Sequence, residues 1–234
     1  MSTPSIADVR PSAVPRAQRR RTTADILRSD RAQALLRAPK DRLHRKRNEK
    51  VLRSITSPAR LHIGCGLNTF DGWLNVDRNS ASAADLHLDL RGGLPIKPGT
   101  VELAYSEHVI EHMSREVALG WLCDLRSALT AEGVVRIATP DLAYIVERYL
   151  GNWRDQAWLE ELPPLAIAGP CEMVNVALRS WGHTYVYDFE DLRRLLLSAG
   201  FGTVRRVEWG ESEHRDLCNR EQRLDSKLIV EASS

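Results

Sequence analysis

Three features of the sequence predict an α/β fold built on a mostly parallel sheet. Residues 61–66 read LHIGCG, an apolar strand running directly into a Gly-x-Gly turn. A second apolar run, WLNVD, ends on Asp77, thirteen positions after Gly64. Further short apolar runs follow, separated by turn residues and by helical patterns, as expected of successive strand–helix units. Small residues at a strand end let backbone approach a ligand closely, and an acidic side chain ending the neighbouring strand can accept both hydroxyls of a ribose. The pair therefore implies nucleoside binding.

The elements are expected in this order. Thr22 or Thr23 can cap a short helix through Ile26, Leu27, Leu35 and Leu36 that Pro39 ends, and residues 40–55 form a second, very basic helix. After the strands ending at Gly64 and Asp77, DLHLDL (85–90) reads as a third strand ending at Asp89, LPIKPGT as a turn, and VELAYS (101–106) as a fourth strand. SEHVIEHM then opens a helix, EGVVRIATPDL (132–142) is a turn and fifth strand, and YDFEDLRRLLLSAGF (187–201) is a capped amphipathic helix stopped at Gly200. Two late strands close the chain. Gly-Cys-Gly alone fits any tight turn, and the dinucleotide fingerprint Gly-x-Gly-x-x-Gly lacks its third glycine near Thr69.

In their order, IGCG, GWLNVD, LP, EHVIEH, the PDL after strand five and the late AGF resemble the small bacterial branch of the class I S-adenosylmethionine-dependent methyltransferases, over roughly residues 60–232. The resemblance implies a Rossmann-like class I methyltransferase sheet with helices on both faces, plus a basic N-terminal helical extension. It also implies S-adenosylmethionine as cofactor: Gly64, Cys65 and Gly66 along its methionine part, Asp77 on the ribose, Asp89 and the Leu90 backbone at the adenine, and Ser106 at the end of strand four. Many relatives carry an acidic residue where this chain has His62, so a contact from that position departs from the pattern.

Composition fits one domain with an appendage. The 234 residues are 43% hydrophobic and 27% charged, ordinary for a globular chain able to bury one sizeable core. The net charge of +2 conceals an asymmetry: residues 1–60 hold 16 Lys+Arg against 5 Asp+Glu, and residues 61–234 hold 17 against 26, so +11 stands against −9. The expected division is an extension over 1–58 and a methyltransferase domain over 59–234. The extension could meet an anionic partner or lie as a solvated helix pair over the acidic domain. Lacking interleaved aromatics and any nucleic-acid module, it disfavours nucleic acid. No apolar run reaches membrane-span length, and no secretory core opens the chain. Cys65, Cys123, Cys171 and Cys218 form no Cys-x-x-Cys pair. Free thiols and a cytoplasmic location are the expectation.

In open α/β sheets ligands bind beyond the carboxyl ends of the strands, so residues 106–112 and 140–141 should face the transferable methyl. On a helix, His108 and His112 would stand at i and i+4 with Glu111 between them. Their spacing matches a zinc-peptidase motif, His-x-x-Glu-His, which its place after a fourth strand excludes. It also resembles the Glu-x-x-Glu-His element of metal-assisted O-methyltransferases, with His108 in place of the first glutamate and His183 as a late histidine. Three roles stay open for His108, Glu111, His112 and His183: metal ligands for a divalent ion, metal-free acid/base or acceptor positioning, and loop support. No metal is assigned. His44 and His87 are read as structural. Residues 141–186, with Trp153, Trp158 and Trp181, are long enough for a lid over the acceptor, and His214 and Arg215 could reach the same mouth.

The function expected is methyl transfer to oxygen or nitrogen of a small-molecule or glycan acceptor. The rivals are a nicotinamide-dependent oxidoreductase and a non-catalytic methyltransferase-like protein that binds an anionic polymer through the basic arm.

Overall fold

The computed structural model describes residues 47–161 and 167–234. They belong to one compact unit, His44–Ser234. The other unit, Met1–Leu43, lies outside the described residues, and so do the expected helix ended by Pro39 and His44.

Seven strands form a single sheet: β1 (Ala59–Ile63), β2 (Leu74–Asp77), β3 (Leu86–His87), β4 (Val101–Glu107), β5 (Leu129–Thr139), β6 (Thr203–Arg206) and β7 (Leu228–Ser233), in the order 3-2-1-4-5-7-6. Strands β1 to β5 pair in parallel, while β7 runs antiparallel to β5 and to β6. The chain winds outward from β1 to β3, then restarts at β4 on the other side of β1. This reversal opens a crevice at the carboxyl ends of β1 and β4. Leu61, Ile63, Ala104, Val135 and Ile137 are buried in the central strands, as the near-continuous apolar runs of a covered parallel sheet require. This is a Rossmann-like α/β fold.

The helices are α1 (residues 47–54), α2 (Arg115–Ala128), α3 (Leu142–Leu150), α4 (Pro170–Arg179) and α5 (Phe189–Ser198). Ser114 caps α2, and Ala118, Trp121, Leu122, Leu125 and Ala128 form its buried stripe. Asp188 caps α5 by accepting from Asp191 N at 2.8 Å, and Leu192, Leu195 and Leu196 face inward. Both stripes join Leu61, Ile63, Val135 and Val230 in the main core, where each buried leucine stabilises by about 1.5–3 kcal/mol. Across the sheet, Leu103, Tyr105 and Val134 are covered by Phe70 and Trp73, from the helix-free link between β1 and β2, and by Leu217. On that face the fully buried Arg136 donates to Glu231 Oε1 at 2.9 Å and pairs with Glu221, tying the segment before β7 to the sheet.

Three expectations change. Residues 47–58, assigned to the extension, pack with the domain: Leu52 and Ile55 lie against the main core, and the Asn48 amide pairs with both the N–H and the C=O of His87 on edge strand β3. An edge strand presents unpaired backbone, and Asn48 satisfies it as a neighbouring strand would. The third strand is only Leu86–His87, because Asp89 already caps a 3-10 turn over Leu90–Gly92. The helix expected from residue 106 does not start there. His108 leaves β4 with φ +52 while its N–H bonds to Ala138 O at 3.0 Å, Ile110–His112 make one 3-10 turn, and α2 begins only at Arg115.

Candidate active site

A cavity of about 260 Å³ opens in the crevice at the carboxyl ends of β1, β2 and β4, slightly below the usual small-ligand range of roughly 300–1,000 Å³. Gly64, Asp77, Asp89 and Leu90 line it together with His108, Val109, His112, Met113 and Trp181. Residues singled out for the cofactor and for the acceptor thus share one space.

Gly64 has φ +77, and a Cβ there would lie 2.1 Å from Val109 Cγ2, so a side chain would both strain the turn and collide with the cavity wall. Asp77 closes the turn from below: Oδ2 accepts from Gly66 N at 2.8 Å and Oδ1 from Asn79 N at 2.6 Å. Each carboxylate oxygen keeps acceptor capacity for a ligand hydroxyl. Asp89 accepts from Arg91 Nε at 2.9 Å, a contact that holds its pKa below the usual carboxylate range. A ligand at Asp89 would therefore share it with Arg91.

The remaining cofactor candidates lie apart from the cavity lining. His62 is buried in the aromatic cluster, stacked on Phe70 at 3.8 Å with Nδ1 3.2 Å from Asn75 Oδ1; burial lowers its pKa to about 4, so the ring is neutral. Cys65 is buried and free, its thiol raised to about 11 by burial and by the charge of Asp77. Gly66 meets the site only through its bond to Asp77, and Ser106 is fully buried in β4. The other three cysteines are also free.

His108, Glu111, His112 and His183 do converge, although not along one helix face. The left-handed turn at His108 brings its Nδ1 to 2.9 Å from Oε1 of the fully buried Glu111, with Nε2 3.5 Å from Asp225 Oδ1. Burial lowers the His108 pKa, but Glu111 and Asp225 outweigh it and the net shift is upward. Burial likewise raises Glu111, and the His108 contact reverses the sign, so its net shift is downward. Each net shift favours the charged form of its group, and Glu111 Oε2 accepts from Thr139 Oγ1 at 3.0 Å. Backbone carries His183 to the same place: Thr184 N and Tyr185 N donate to Glu111 O at 2.6 and 3.1 Å. The His112 and His183 rings are 5.2 Å apart.

His183 Nδ1 lies 2.8 Å from Ala177 O. A carbonyl can only accept, so Nδ1 carries the proton and Nε2 presents a lone pair. Burial lowers the His183 pKa, which keeps the ring neutral. One ligand atom each from His108, Glu111 and His183 lie within 4.8 Å of one another, the geometry of a possible cation site among the described residues. Within that set the 2.9 Å contact between His108 Nδ1 and Glu111 Oε1 competes with an ion, whereas His183 Nε2 keeps its lone pair.

Sequence reasoning missed Asp225, Thr139 and Glu107. Glu107 accepts from Gln222 N and Arg223 N at 3.1 Å and from Ser226 Oγ at 2.7 Å, and so holds the turn that brings Asp225 to His108. A carboxylate within SEHVIEH, beside His108, was a signal in the sequence, but its loop partners were not. His214 lines a different cavity, with Arg205 and Glu213, and Arg215 opens a 3-10 turn near Leu217; neither lines the site. Of the lid tryptophans, Trp158 is buried with Met173 and Ile145, Trp153 packs partly against them, and Trp181 reaches the cavity.

No family model matches the sequence, and no curated protein matches it. Among solved structures, the chain is similar to a SAM-dependent methyltransferase from Archaeoglobus fulgidus, at 16% identity and TM-score 0.47 over 82% of this chain and 94% of that one. It is similar to a possible histamine N-methyltransferase from Thermotoga maritima at 14% identity and TM-score 0.46, over 81% and 88%. PigF with SAH gives 11% identity and TM-score 0.44, over 76% of this chain and half the length of that protein. No described helix is long and apolar enough to cross a membrane.

Proposed function

We propose that the protein is an S-adenosylmethionine-dependent methyltransferase acting on oxygen or nitrogen of a small-molecule or glycan acceptor. The supporting observation is the shared cavity, which Gly64, Asp77 and Asp89 line together with His108 and His112 at the reversal of strand order. The three solved structures above are named for methyl transfer or for bound SAH, in keeping with this reading.

Asp77 would hold the ribose hydroxyls, the Gly64 turn the methionine part, and Asp89 with the Leu90 backbone the adenine. When bound, the cofactor supplies an electrophilic methyl on sulfur. Transfer is an in-line displacement, so the chain's main task is alignment, worth about 7–11 kcal/mol, against the 10²–10⁴-fold in rate that a positioned base adds. His183 Nε2 suits that base: it is neutral and oriented by Ala177 O. His108 lies between Glu111 and Asp225, whose charges favour its protonated form, so it serves to orient the turn rather than as the base. His112, exposed at the cavity, is placed to orient the acceptor.

Calorimetry of the full chain with S-adenosylhomocysteine and, separately, with a nicotinamide dinucleotide tests the assignment. Heat with the first alone is expected. Heat with the dinucleotide alone would replace this reading by the oxidoreductase one.

A further inference from the structure

A second, much smaller cavity of about 30 Å³ lies beside the first, lined by Tyr144, Trp158, Trp181, His183 and Asp225 among others. Among the described residues, only Trp181 borders both cavities. The proposed base opens on the small side and His112 on the large side, yet their rings are 5.2 Å apart. A space that size holds about one water and no acceptor.

The Trp181 backbone is unusual. It has φ +56 within the 3-10 turn Ser180–Gly182, and Gly182 follows at φ +86, so two consecutive residues are left-handed. For a bulky side chain this conformation is an outlier, of a kind found at functional and switching sites. The indole is half exposed, meets Trp158 edge-on at 5.5 Å and lies 5.7 Å from His183. A core tryptophan would be enclosed; this one stands as a wall with solvent behind it.

We propose that Trp181 is the movable partition of a single donor–acceptor chamber: closed against Trp158 it divides the two cavities, and swung outward on the Ser180–Gly182 turn it joins them and admits ligands. The proposal rests on the methyltransferase reading of the large cavity. It makes Trp181 the residue that controls entry of both donor and acceptor, with Trp158 as its stop. The ring does no chemistry itself.

The probe is S-adenosylhomocysteine passed over the immobilised full-length protein, comparing wild type with Trp181→Gly. Glycine suits the left-handed backbone, so the variant keeps the turn. Removing a gate speeds entry and exit alike, so association and dissociation rates should both rise by about tenfold with little change in Kd, whereas loss of a mere contact changes mainly dissociation. Faster dissociation alone, with a proportionally weaker Kd, would make Trp181 a contact wall and overturn the proposal. Unchanged rates overturn it too. Trp181→Phe, a smaller ring on the same backbone, should give intermediate rates and serves if the glycine variant does not fold. Wild type that fails to bind the probe at all defeats the methyltransferase reading first, an outcome separate from the other two.

Discussion

Replacing Glu111 by glutamine removes one charge from the most enclosed ion pair of the site while keeping its shape. Glu111 is fully buried, 2.9 Å from His108 Nδ1, and its other oxygen accepts from Thr139. Removing one partner of a buried pair costs up to roughly 3–5 kcal/mol when the other charge is stranded. Here His108 can release its proton, and the glutamine carbonyl can still accept from Thr139, so the expected loss is about 1.5–3 kcal/mol, that of one hydrogen bond to a charged group. The loss should depend on pH with a definite sign. His108, raised from 6.5, contributes stability that is complete below 6.5 and disappears as pH rises through its folded pKa. Glu111, lowered from 4.5, contributes stability that is present above 4.5 and disappears as pH falls through its folded pKa. The gap between wild type and Glu111→Gln should therefore be widest between pH 4.5 and 6.5 and narrow toward alkaline pH. Urea denaturation across the pH range measures it. A gap that stays flat from about pH 5 to about pH 9 refutes the ion pair.

Asp77→Ala should weaken S-adenosylhomocysteine binding by at least about tenfold, since each charge-assisted bond it offers contributes about 1.5–3 kcal/mol, and calorimetry reads the change. His183→Ala should lower kcat by about 10²–10⁴-fold with any accepted substrate. In wild type, the kcat profile should rise with pH through a His183 pKa below 6.5 and then level off; a limb rising above that value would point to another base. A chain lacking residues 1–58 should melt lower than one lacking only 1–46, because it also loses Leu52, Ile55 and the Asn48 cover of β3. Chelator treatment should leave melting temperature and cofactor binding unchanged, because the contact between His108 Nδ1 and Glu111 Oε1 competes with an ion for this cluster; a drop restored by Zn²⁺ or Mn²⁺ would favour the metal alternative.

Much of this protein is legible in one dimension. The strands around Leu61, Val76 and Ala104 announce themselves because a parallel strand covered on both faces must be apolar along its length, and Gly64 with Asp77 mark strand ends because close approach and hydroxyl recognition need those residue types. The helix stripes of α2 and α5 follow from periodicity in the same way. The path through HVIEH did not, since helical spacing describes it well until the ladder bond from His108 N to Ala138 O carries β4 past the point where a helix could begin. Local pattern cannot anticipate a bond to a strand thirty residues away. Tertiary structure alone also decided that Asp225 reaches His108, that His62 turns into the aromatic cluster instead of the cavity, and that Asn48 covers β3. Each depends on which segments meet in space, where burial and pairing of polar groups outweigh any preference carried by neighbouring residues.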